Sequence, residues 1–119
     1  MGDEGFGGFG VRRPLRFLAD RLGLDERQMA ALARILDDLK TERAQAEVDR
    51  RRTLAAFADA LGPHAFDAAK ATEAGELRVT SAGRVREAVI KALREIHAVL
   101  NPDQRQRLAY FIRTGTLTV

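Results

Sequence analysis

The chain has 119 residues, with 20 Lys and Arg against 17 Asp and Glu, a formal net charge of +3, and neither Cys nor Trp. That length suits one domain, and the missing cysteines exclude disulfides, a thiol nucleophile and cysteine-ligated zinc. A charged share of 31% in a chain rich in Ala, Leu, Arg and Glu is the composition of long helices, and no apolar run approaches the ~18 residues that cross a bilayer.

Residues 1–12 read as a flexible Gly-rich linker, because five glycines and two isolated phenylalanines give no periodic face. The segment lacks the basic start and apolar centre of a signal peptide. Either the protein is cytoplasmic or a targeting or anchoring segment precedes it. Pro14 then opens a short helix to Leu22, with Leu15, Leu18 and Leu22 on one side and Gly23 as its stop.

A long helix is expected from Asp25 to about Ala60, its first half striped by Met29, Leu32, Ile35, Leu36 and Leu39. Beyond Lys40 the stripe thins to Ala46, Val48, Leu54, Phe57 and Leu61. Gly62-Pro63-His64 should turn the chain. A second long helix fits Phe66–Val99, and Gly75 and Gly83 within it each cost about 1 kcal/mol relative to Ala, which suggests a kink or a close helix approach. Pro102–Arg113 forms the last helix, with Leu108, Phe111 and Ile112, and residues 115–119 are left as a tail.

At ~1.5 Å per residue both long helices reach roughly 50 Å, and a tight turn makes them antiparallel. Leu36 and Leu39 then face Val89 and Ala88. Residues 40–53 face 75–86, and both of those segments are polar or small, so two helices alone bury little there. The expected fold is all-α: a long, antiparallel, kinked helical hairpin with short flanking N- and C-terminal helices. The weak middle calls for bending, for a second copy of the chain, or for both.

One short pattern occurs twice, as Leu24-Asp25-Glu26-Arg27-Gln28 and Leu100-Asn101-Pro102-Asp103-Gln104. Asp25 or Asn101 can accept from the free N–H groups of the first helical turn, and Gln28 or Gln104 can reach back to the cap. Each leucine can staple against the following helix, and Pro102 sits where a missing N–H costs nothing. This doubled box around a helical hairpin resembles the Spy/CpxP superfamily, whose repeated pattern is Leu-Thr-x-x-Gln. Asp25 and Asn101 stand at the threonine place and are equally good caps. The resemblance covers residues 13–113, including Arg13-Pro14-Leu15-Arg16-Phe17-Leu18-Ala19 and the closing run Ala98–Leu108. It makes 13–114 the helical domain.

The resemblance implies an intertwined homodimer in the bacterial envelope, acting as an ATP-independent chaperone or stress adaptor on unfolded or partner polypeptides, with no cofactor. It also implies that any membrane attachment lies in a segment absent from this chain, for which residues 5–10 look like a linker. Relatives that sense heavy metals make a metal-responsive regulatory domain the alternative reading.

The residues themselves nominate a surface. Arg43, Arg50, Arg51 and Arg52 on the first long helix, with Arg78, Arg84 and Arg86 on the second, form the densest basic region. Arginine offers charge, a hydrogen-bonding fork and a flat apolar face, and Phe57, Leu61 and Phe66 near the hairpin tip supply apolar contacts. The competing reading is a solvated face with i,i+4 pairs such as Glu47–Arg51. A nucleic-acid interface would use the same arginines on phosphates, but Glu42, Glu47, Asp49, Glu76 and Glu87 oppose it. His97 is a weak metal candidate, expected instead to pack on the inner flank of its helix, since it lacks a carboxylate or second His at ligand spacing. The only serine, Ser81, has no His near it in sequence, and nothing resembles a phosphate-binding loop, so no enzyme is expected.

Overall fold

The computed structural model describes residues 12–62 and 64–119. The expected linker therefore lies, but for Arg12, outside the described residues, as does Pro63 of the breaker cluster. The described residues form four helices and no strand: α1 (Arg12–Leu22), α2 (Glu26–Leu61), α3 (Ala68–Val99) and α4 (Pro102–Arg113). They divide into two compact units, one made of 12–41 with 88–119 and one of 42–62 with 64–87.

In the first unit, α1 begins ahead of Pro14. A proline fits the first turn because that N–H has no acceptor within the helix. Gly23 ends α1 at φ +63, and the Leu24 N–H reaches back to the Ala19 carbonyl at 3.2 Å, the 6→1 bond of a Schellman turn. The core takes Leu32, Ile35, Leu36 and Leu39 from the expected stripe of α2, whereas Met29 is half-buried and lies outside it. These core residues are joined by Leu18 and Leu22 of α1, Ala92 and Ile96 of α3, and Leu100 and Leu108. Ala88 and Val89 pack against this cluster, as their position opposite Leu36 and Leu39 requires. Leu117 is only 1% exposed and belongs to the same core. Gly115 at φ +78 turns the chain, and the Leu117 N–H donates to the Phe111 carbonyl at 3.0 Å.

In the second unit the end of α2 and the start of α3 lie antiparallel. The Asp67 N–H donates to the Ala60 carbonyl at 3.0 Å, and the Asp67 carboxylate accepts from the Lys70 N–H at 3.0 Å. Asp67 is thus the cap of α3, which starts at Ala68 rather than Phe66. Phe66 lies ahead of the cap and is 62% exposed.

The inward line of this unit also differs from the expected one. Asp49, Thr53, Ala60 and Ala74 are buried, whereas Val48, Leu54 and Leu61 are exposed. Small side chains on the contact line suit the close approach of two helices, and the larger ones fall to the flanks. Asp49 is held by the side chain of Gln45 at 3.2 Å. The close approach expected at Gly75 and Gly83 is not found. A Cβ at either would meet no atom of a neighbouring element within 4 Å. Both residues lie within the continuous α3.

Candidate functional site

The two capping boxes form as their spacing demands. Gln28 N–H donates to Asp25 Oδ1 at 2.8 Å and Asp25 N–H to Gln28 Oε1 at 3.1 Å. In the second box Gln104 N–H donates to Asn101 Oδ1 at 2.8 Å and Asn101 N–H to Gln104 Oε1 at 3.0 Å. The structure also brings the boxes together. Gln28 Nε2 donates to Gln104 Oε1 at 2.7 Å, and Gln104 Nε2 returns a bond to Gln28 Oε1 at 3.2 Å. The second donor on each amide goes to a carbonyl that closes a helix: Gln28 Nε2 to Val99 at 2.9 Å, Gln104 Nε2 to Leu22 at 3.1 Å. Each amide therefore uses two acceptor and two donor positions, the full capacity of the group. Gln104 is 4% exposed, Gln28 half-buried. Leu100 is buried and Leu24 packs against the core.

This doubled box is what decides the family, and a family model built on it, that of the LTXXQ motif family, matches residues 11–110. The chain belongs to the LTXXQ motif family. Spy/CpxP-like proteins are included in that family. No curated protein and no solved structure matches the chain.

In this LTXXQ protein the glutamine pair is architectural, and the candidate binding surface lies in the second unit. At 100° per residue, Arg43, Arg50, Leu54, Phe57 and Leu61 fall within about 60° of one another on α2, on one flank of the Asp49–Thr53–Ala60 line. Arg78 of α3 lies on that same flank, because its guanidinium sits over the Phe57 ring, 5.3 Å from the centroid. Arg86, two turns further along α3, projects outward from the same side. Leu54 is 44% and Leu61 74% exposed.

Glu47 is the acid of this flank, within reach of Arg50 at 3.4 Å and Arg51 at 3.6 Å. Arg51 points almost directly away from the contact line. Arg86 pairs with the adjacent Glu87 at 3.0 Å. Arg43 is half-buried, and its Nε is enclosed without a hydrogen-bond partner.

The ten nominated residues therefore do not form one surface. Arg52 and Arg84 fall on the opposite flank, among Asp59 and Glu73. Phe66 is set off in the turn. Leu54, outside the nominated set, joins the arginine flank. Its signal was available, since 43, 47, 50, 54, 57 and 61 alternate spacings of four and three, but its apolar character had placed it in the core stripe.

The expectation for His97 is corrected: its side chain is exposed. Ile96 and Leu100 take the inward direction there, and His97 follows Ile96 by 100°. Its carbonyl accepts from Arg105 Nε at 2.9 Å. Among the described residues no three of His, Cys, Asp or Glu gather where they could hold a metal ion.

Proposed function

We propose that this protein is an ATP-independent chaperone-like or stress-adaptor protein that holds other polypeptides reversibly on the arginine flank of its second unit. The observation that supports this reading is the mixture on that flank. Leu54, Phe57 and Leu61 offer apolar area, and Arg43, Arg50 and Arg78 offer long-range attraction and hydrogen bonds to backbone carbonyls. Weak, separate contacts of this kind release a client as readily as they hold it. Membership of the LTXXQ family supports a place in the bacterial envelope and an intertwined homodimer. A metal-responsive or nucleic-acid role finds no particular observation in its favour.

The test is aggregation of a chemically denatured protein diluted into buffer without nucleotide. The full chain, from sub-stoichiometric to equimolar, should suppress light scattering, with the effect weakening as salt rises. Unchanged scattering at every salt concentration contradicts the proposal.

A further inference from the structure

Positive charge is concentrated on α1 and α4. The two helices carry seven arginines against Asp20 and Asp103, a net +5 in a chain whose total is +3, so the remaining residues sum to −2. They pack on each other in the first unit, where Phe17 of α1 meets Phe111 of α4 edge-on with centroids 5.4 Å apart, and within α4 Tyr110 meets Phe111 at 5.9 Å. The Arg21 guanidinium lies over the Phe17 ring at 5.3 Å, and Arg107 Nη1 crosses from α4 to the Arg21 carbonyl at 3.3 Å. Arg16, Arg21, Arg107 and Arg113 are exposed, and Tyr110 is 57% exposed. On a helical projection Arg16 and Arg113 both point directly away from the buried Leu18, Gln104 and Leu108.

We propose that the α1–α4 surface docks on an anionic lipid bilayer, with its arginines on headgroup phosphates and Tyr110 in the headgroup layer. Guanidinium groups match phosphate oxygens in a two-pronged geometry, and an aromatic ring with a polar tip settles where apolar and wet regions meet. The acids decide between partners. Asp103 pairs with Arg107 at 3.1 Å and Asp20 lies 3.6 Å from Arg21, which breaks the continuous basic track that a nucleic-acid backbone needs. A bilayer acts as a diffuse negative field and tolerates such interruptions. The surface lies wholly in the first unit, so it stands independently of polypeptide binding by the second.

The test is co-sedimentation of the full chain with vesicles of phosphatidylcholine alone and of phosphatidylcholine mixed with phosphatidylglycerol. Binding is expected only to the mixed vesicles and should fall as salt rises. Arg16→Gln with Arg113→Gln should weaken it at least about tenfold, since each basic residue near such a surface adds to the attraction. Arg51→Gln with Arg52→Gln, the same charge change on α2, should leave it within about twofold. Circular dichroism on each variant checks that the helices are retained. No binding to the mixed vesicles overturns the proposal, as does an equal loss from the α2 pair. Binding to a DNA duplex or to an acidic polypeptide but not to the vesicles likewise overturns it.

Discussion

Gln104 is the residue on which most of the first unit's polar order converges. Its amide serves the Asn101 N–H, the Leu22 carbonyl and the amide of Gln28, the Leu22 bond fully buried and the other two partly so. Truncation strands these groups, and an unpaired buried polar group costs about 1–3 kcal/mol. Gln104→Ala should therefore destabilise the protein by about 2–4 kcal/mol in urea unfolding. Gln28→Ala should cost less, because water can reach the half-buried site. The double variant should fall well short of the sum, since the two amides share bonds. Additive losses would show that the pairing contributes nothing beyond two separate caps. Each box was legible from local spacing. Their union was not, because 76 residues separate the two glutamines and only the meeting of helix ends brings them together.

Helix boundaries follow local chemistry closely wherever a cap or a glycine is explicit. Gly23, Asp25, Asn101 and Gly115 each stand at the end they signal. The start of α3 was less legible. Phe66 extends the apolar stripe by one step, but Asp67 caps the helix and leaves Phe66 outside. Leu117 was missed for a related reason. A leucine two residues past a left-handed glycine is placed to fold back on the helix it follows, yet an amphipathic-stripe reading stops at the glycine. Within the second unit the inward positions went to Asp49, Thr53, Ala60 and Ala74 rather than to the larger apolar residues, because helix packing rewards fit as well as hydrophobicity.

The same logic yields a prediction for α3. A methyl group at Gly83 meets open space, and alanine avoids the helix penalty of glycine. Gly83→Ala should raise stability by up to about 1 kcal/mol, read as a higher Tm. A lower Tm would mean that another chain approaches the helix closely at that point.

At the scale of the whole molecule, the two units differ in composition and packing. The first, closed by the glutamine pair, holds the leucine-rich core and the basic α1–α4 surface. The second has little apolar interior, with an aspartate and a threonine among its buried residues, and leaves Val48, Leu54, Leu61 and Val79 exposed. Composition and helix period pointed to an arginine-rich stretch of α2 and α3. They could not divide its arginines between two flanks. That division needed the Arg78–Phe57 contact, which fixes which sides of α2 and α3 lie together.

The most direct test of the binding account is therefore a comparison of flanks. A photo-crosslinking amino acid is placed at Leu54 in one variant and at Asp59 in another, and each is irradiated with a radiolabelled unfolded protein in the absence of ATP. The account predicts strong labelling from position 54 and little from position 59. Equal labelling from both positions, or none from position 54, would contradict it.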